Sequence, residues 1–373
     1  MAPSVDIFCR VIDNYGDIGV CWRLARQLAA RPDCGAIRLW VDDLDSFARI
    51  APQVQSGTDQ QELRGIGIFR WGNSLPDTTE PADIVIEAFG CTLPFGYLEH
   101  MSAQQLWLNL EYLSTEDWAE SCHGLPSLQP NGLRKFFFFP GFTPATGGLL
   151  REPGLIARRD AWQADSQARL TLLNKLGVSP AWLERLQAGA RLVYVYCYPQ
   201  APLPALMRAL SRQGHDSLVM LPQGIWPDAL PSLHANGCRI ETHAHPFVDQ
   251  DTFDQLLWSS DLNLVRGEDS LVRAIWAGRP MIWQPYLQQE ETHLEKLAAW
   301  LAQTPWPEEI QQAILAWNQG DSHAFAAALT PLLHPQRLQQ WQTLAQQWCT
   351  ELTQTNDLAT RLLAFCTKNS QTS

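Results

Sequence analysis

Two carboxylates, Asp13 and Asp17, stand in the stretch Ile12-Asp13-Asn14-Tyr15-Gly16-Asp17-Ile18-Gly19, between a strand pattern and a helix pattern. Acids paired in one strand–helix loop make an anionic pocket for a cation. A guanidinium suits it, because carboxylates accept its paired N–H donors in fork geometry. Each acid also has a plainer role, Asp17 as a helix N-cap and Asp13 as a turn residue bonded to its own backbone. A second polar cluster, Arg266-Gly267-Glu268-Asp269-Ser270, interrupts two apolar runs late in the chain. We read this turn as the holder of a phosphorylated donor, since helix N-termini at the carboxyl ends of parallel strands aim N–H groups at anions. The plainer reading has Asp269 and Ser270 capping a helix and Glu268 in solvent. Arg266 is the nearest fixed cation to the proposed pyrophosphate, with a structural salt bridge as its alternative.

The elements that must position these residues follow from periodicity. Val5 to Val11 reads as a strand, and Ile18, Cys21, Ala25 and Leu28 recur at helical spacing after it. The glycines at 16 and 19 do not form a dinucleotide fingerprint, because acids occupy the place where a pyrophosphate needs N–H groups. Further strands are expected at Ile37–Val41, Gly65–Trp71, Ile84–Ala88 and Leu106–Leu110. The Pro- and Gly-rich stretch from Pro126 to Gly154 is expected to be a long functional loop or a crossover. A helix over Arg158–Leu176 and another over Pro180–Ala188 precede a restart of the pattern at Arg191–Tyr198, which places a domain boundary at about 178. Strands at Ser217–Leu221, Arg239–Thr242, Leu262–Val265 and Met281–Trp283 alternate with helices. Ser270 is expected to cap the helix that Gly278 and Pro280 stop, and Phe253 to begin another, as a core residue or as an aromatic platform for a base. Such alternation predicts an α/β protein with doubly wound parallel sheets. Five helices close the chain.

The totals narrow the function. At 373 residues two domains are expected. A formal charge of −12 argues against nucleic acid as the main partner and permits a cationic one. Nine scattered cysteines without a C-x-x-C pair indicate neither a disulfide framework nor a zinc knuckle. His243 and His245 have no third ligand at useful spacing, so no metal is expected. Phe136 to Phe139 is far too short to span a bilayer, and no signal segment opens the sequence; no membrane partner and a cytoplasmic location are the expectations.

Four motifs together resemble the bacterial protein-arginine rhamnosyltransferases that modify elongation factor P. They are Ile12-Asp-Asn-Tyr-Gly-Asp-Ile-Gly-Val-Cys-Trp-Arg23, Leu108-Asn-Leu-Glu-Tyr-Leu-Ser114, Phe138-Phe-Pro-Gly-Phe-Thr143 and Arg266-Gly-Glu-Asp-Ser270. The resemblance runs essentially end to end. It implies a GT-B fold, two Rossmann-like domains facing across a cleft: residues 1–178, rejoined by a C-terminal helix at about 352–373, for the acceptor, and 179–351 for the nucleotide sugar. It implies inverting, metal-independent transfer of rhamnose from dTDP-β-L-rhamnose to one arginine of elongation factor P, with no cofactor. Carried over by position, Asp13 and Asp17 meet the acceptor arginine, Asp17 as the base, and Glu268 is the other essential acid. Tyr198, Asp269 and Ser270 match positions around the donor phosphates, and Gln250 and Phe253 those around the thymine. From the residues alone the reading stops at a nucleotide-sugar transferase. Its alternatives are a GT-B enzyme with another donor or acceptor, and a non-catalytic module that binds the factor.

Overall fold

The computed structural model describes residues 2–12, 15–72, 79–226, 233–235, 237–287 and 292–370. It divides into two compact units, Met1–Pro153 with Thr353–Ser373, and Gly154–Leu352.

In the first unit the chain runs β1 (Val5–Cys9), α1 (Gly16–Ala29), β2 (Ile37–Val41), α2 (Leu44–Ile50), β3 (Gln60–Leu63), β4 (Ile66–Arg70), β5 (Ile84–Ala88), α3 (Phe95–His100), β6 (Leu106–Leu110), α4 (Asp117–Cys122), β7 (Pro126–Leu128) and β8 (Arg134–Phe138). The sheet order is β3-β4-β2-β1-β5-β6-β8-β7, with β3 and β7 antiparallel to their neighbours and the six inner strands parallel. Numbered along the chain, those six run 3-2-1-4-5-6, so the winding reverses between β1 and β5. β1, β5 and β6 are buried throughout, as strands covered on both faces must be. Phe8 of β1 stacks on Trp40 and meets Trp71 edge-on within the main aromatic cluster.

The stretch expected to be a loop from Pro126 opens instead as the hairpin β7–β8, with β8 completing the parallel sheet beside β6. Four consecutive phenylalanines carry no period-two alternation, which hid the strand. Asp42 and Asp43, just after β2, are engaged locally. Asp42 accepts from the Val11 N–H, and Asp43 caps α2 by accepting from the Asp45 and Ser46 N–H groups.

The second unit contains α5 (Leu155–Ala164), α6 (Ser166–Lys175), α7 (Pro180–Gln187), β9 (Arg191–Tyr196), α8 (Leu203–Ser211), β10 (Ser217–Pro222), β11 (Leu233–Ala235), β12 (Cys238–His245), α9 (Gln250–Ser259), β13 (Leu262–Arg266), α10 (Glu268–Ala277), β14 (Met281–Gln284), α11 (Thr292–Ala302), α12 (Glu308–Asn318), α13 (Ser322–Leu332) and α14 (Pro335–Thr353). Its sheet order is β11-β12-β10-β9-β13-β14, parallel except for the β11 edge. The winding reverses between β9 and β13. The last helix, α15 (Leu358–Ser370), belongs to the first unit. There Phe365 packs against His123, Phe136 and Phe138, and Arg361 Nη1 donates to the Thr146 carbonyl at 2.6 Å.

The first unit ends at Pro153, ahead of the expected boundary at 178. Helices α5 and α6 go with the second unit because their polar side chains are fastened there. Arg159 Nη1 donates to the Trp276 carbonyl at 2.9 Å, and Trp162 Nε1 to Ser259 Oγ at 3.0 Å. The single helix expected over Arg158–Leu176 breaks at Asp165, whose carboxylate accepts from the Gln167 and Ala168 N–H groups and starts α6. Among the described residues no helix is long and apolar enough to cross a membrane.

Candidate active site

In the first unit the site forms at the carboxyl end of β1, where the winding reverses. Asp13 lies outside the described residues. Asp17 is the second residue of α1, whose N-cap is Tyr15, so Asp17 is not the cap that its type suggested. It is 2% exposed. One carboxylate oxygen accepts from the Ile12 N–H at 2.8 Å and the other from the Tyr112 hydroxyl at 3.3 Å. A carboxylate in the first turn is also favoured by the positive end of the helix dipole.

Tyr112 stacks on Phe89 at 4.5 Å. Phe89 follows β5 with φ at 57°, a left-handed conformation that costs a bulky residue energy and is held only where its surroundings demand it. Two hydrogen bonds supply the demand: the Phe89 N–H donates to the Leu110 carbonyl at 2.7 Å, and the Gly90 N–H to Asn109 Oδ1 at 3.0 Å. The motif around 108–114 thus supplies the bracket for the strained residue (Asn109) and the hydroxyl on Asp17 (Tyr112). Between them Glu111 is half-buried, and burial pushes its carboxyl above the ordinary value against the opposing pull of Lys135.

In the second unit the site forms at the carboxyl ends of β9 and β13, again at the reversal. The Arg266 guanidinium lies 4.7 Å from the ring centres of both Tyr196 and Tyr198, a cation held between two π faces. Gly267 then turns the chain with φ 63° and ψ −166°, a region open essentially to glycine. The turn is pinned on both sides. Its N–H donates to the Gln284 carbonyl at 3.0 Å, and its carbonyl accepts from Trp283 Nε1 at 2.7 Å. Gln284 Oε1 also accepts from the Tyr198 N–H at 2.9 Å.

The helix α10 starts at Glu268 with Gly267 as N-cap and no side-chain cap hydrogen bond, so Ser270, expected to cap it, is instead its third residue. Glu268 meets Lys296 Nζ of α11 at 2.5 Å. Asp269 is half-buried and Ser270 is buried. Gln250 is the first residue of α9, buried behind the Asp249 N-cap, and Phe253 lies one turn inside that helix rather than at its start. The Phe253 ring is half-buried and meets Tyr194 and Tyr196 edge-on at 5.8 and 5.3 Å. Tyr198, Phe253, Arg266, Glu268, Asp269 and Ser270 therefore gather around one reversal point.

Sequence reasoning missed Tyr196, Gln284 and Lys296. Tyr196 had a signal, since Tyr194, Tyr196 and Tyr198 alternate at strand spacing and share one side. Lys296 had none, standing 28 residues from its carboxylate partner. Both histidines considered for metal commit a ring nitrogen to a backbone carbonyl, His243 at Leu176 and His245 at Pro246. Among the described residues no group of three His, Cys, Asp or Glu side chains is placed to hold a metal ion.

The whole chain compares with known proteins as follows. It is 46% identical to a protein-arginine rhamnosyltransferase of Pseudomonas putida, covering 98% of this chain and 99% of that one. It is 44% identical to one of Pseudomonas aeruginosa, covering 97% and 98%. A solved structure that describes the basis for EarP-mediated arginine glycosylation of translation elongation factor EF-P superposes with a TM-score of 0.62 at 32% identity, covering 97% of this chain and 98% of that one. UGT2 of Phytolacca americana, solved with UDP-2fluoro-glucose and pterostilbene, shares the fold alone at 11% identity and a TM-score of 0.51. The architecture is of GT-B type, two α/β units each built on a parallel sheet. The model of the Elongation-Factor P (EF-P) rhamnosyltransferase EarP matches residues 5–367, and the chain belongs to that family.

Proposed function

We propose that the chain transfers rhamnose from dTDP-β-L-rhamnose to one arginine side chain of elongation factor P, with inversion at the anomeric carbon. The observation that carries this reading is the turn at Arg266–Ser270. It offers a cation between two tyrosines, a glycine-only bend and a helix N-terminus without a side-chain cap, an arrangement suited to a diphosphate leaving group. Phe253, edge-on to Tyr196, is the platform for the thymine, with Gln250 beside it in α9.

Arginine is a poor nucleophile because its guanidinium stays protonated, with a pKa above about 12. Complete proton transfer to an ordinary aspartate before attack would cost about 12 kcal/mol. A stepwise deprotonation is therefore too expensive, and attack and proton loss proceed together. Asp13 and Asp17 grip and polarise the guanidinium. One of its nitrogens forms the bond to the anomeric carbon as the bond from that carbon to the dTDP oxygen breaks. The proton passes to Asp17, and the electron pair leaves with dTDP, whose growing charge is met by Arg266 and the N–H groups at the start of α10. Tyr112, which donates to Asp17 at 3.3 Å, is itself exposed, and the acceptor approaches from that side. Glu268, held by Lys296, orients the sugar.

The test is incubation with dTDP-β-L-rhamnose and purified elongation factor P, read by intact mass and by the anomeric coupling of the product. One added deoxyhexose on one arginine, in the α configuration, is the expected result. An unmodified factor beside hydrolysed donor, or a β product, would overturn the acceptor or the inversion.

A further inference from the structure

A cavity of about 340 Å³ lies in the second unit, at the amino ends of its strands. It is the opposite end of the sheet from Tyr196 and Arg266. Arg191 opens β9 here, Asp261 stands just before β13, and Arg279 comes shortly before β14. Arg169 of α6, His215, and Gln339 and Gln342 of α14 complete the polar wall.

The charges do not balance. Three guanidinium groups surround one carboxylate, that of Asp261, which already accepts from Arg169 Nη2 at 3.1 Å and from the Leu192 N–H at 2.8 Å. Arg191 is 7% exposed, and Nη2 donates to the Leu333 carbonyl. Its Nη1 has no hydrogen-bond partner among the described residues, nor has Arg169 Nε. Arg279 makes only long bonds, 3.3 Å to the Trp258 carbonyl and 3.4 Å to Gln342 Oε1. Burial lowers both Arg191 and Arg279 from the ordinary guanidinium range, and Arg169 and Arg159 lower Arg279 further against the pull of Asp261. Buried charges are costly unless paired, and here the surplus is positive in a chain whose formal charge is −12.

We infer that this cavity is a second anion site, built for a compact phosphate-bearing small molecule and separate from the donor turn. Guanidinium forks match phosphate oxygens two at a time. Three guanidiniums less one carboxylate leave a surplus of two positive charges, which the two negative charges that a phosphate ester carries above its second pKa of about 6 offset on a single group. A volume at the lower end of the ligand-pocket range of about 300–1,000 Å³ admits an ester or a diphosphate and exceeds what a bare ion needs. A ligand here also ties α14 to the sheet, so it should raise the melting temperature of the protein.

The experiment is titration calorimetry on the full chain with two probes, inorganic pyrophosphate for free phosphates and glucose 6-phosphate for esters. Both are run after dTDP has been bound to its measured stoichiometry. Binding of either probe to the dTDP-saturated protein, weakened about tenfold or more in Arg169→Met and Arg279→Met and unchanged in Ser270→Ala, is the expected result. Two equivalents of dTDP, the second lost in Arg169→Met, would support it equally. No binding of either probe beyond a single dTDP, or binding that survives both arginine substitutions, overturns the inference. Arg169 is partly exposed on α6, so its variant decides the matter should Arg279→Met fail to fold.

Discussion

Asp17 holds one oxygen on the Ile12 backbone and the other on the Tyr112 hydroxyl, which arrives from the stretch after β6. Asp17→Asn keeps the size and removes the charge. It is expected to lower kcat by about 10²–10⁴, the usual range for a general base, in a time course of factor mass. Transfer at the parent rate would remove Asp17 from the mechanism. Tyr112→Phe deletes the 3.3 Å bond from its hydroxyl to Asp17, and a loss below about tenfold is expected. At this scale the spacing placed Asp17 next to the carboxyl end of β1 and Glu268 next to that of β13. It was silent wherever a partner arrives from far along the chain, as Lys296 reaches Glu268 and Gln284 reaches the Tyr198 N–H. Phe89 gave no hint of its left-handed backbone, because nothing in the residue type asks for it.

The strand–turn–helix unit from Leu262 to Ala277 turns on Gly267. A β-carbon at φ 63°, ψ −166° costs about 1–3 kcal/mol. Gly267→Ala should therefore lower the urea midpoint of the protein and weaken dTDP binding by calorimetry. Unchanged dTDP affinity would show that the turn does not hold the diphosphate. Within the same unit Arg273 of α10 lies in a buried fork with Asp254 of α9, at 3.0 and 2.6 Å. Arg273→Met removes that fork from a buried carboxylate and is expected to cost about 3–5 kcal/mol in urea unfolding. The existence and type of these elements were legible from periodicity, but their starts were not. Ser270 and Phe253 each entered their helices later than expected, because a glycine bend and an aspartate cap began them earlier.

For the whole molecule, two histidines tie stability to pH. Burial lowers His245 from 6.5 to about 4, and burial with the neighbouring Arg361 lowers His123. A base whose folded value is depressed leaves stability intact above its unfolded value. Below that, the unfolded chain takes up the proton first, and stability falls until the folded value is reached. For His245 the window is pH 6.5 to 4 and the loss about 3 kcal/mol. Urea midpoints measured across that window should fall in the parent and flatten in part in His245→Gln. Parallel slopes in the two proteins would remove His245 as the cause. At this scale the alternation of strands and helices announced the α/β class. It left out the strand order 3-2-1-4-5-6, which depends on which crossover packs on which face, and it set the boundary after α5 and α6, because periodicity does not show which unit a connecting helix packs against.

The chain leaves its first unit at Pro153 and returns to it at Thr353. A ribosome therefore releases the first sheet well before the helix that covers part of it. Until α15 emerges, Phe136, Phe138 and His123 wait without Phe365, and the Thr146 carbonyl without Arg361. The nascent first unit thus leaves part of its aromatic surface uncovered for as long as translation of the second one takes, until α15 is made.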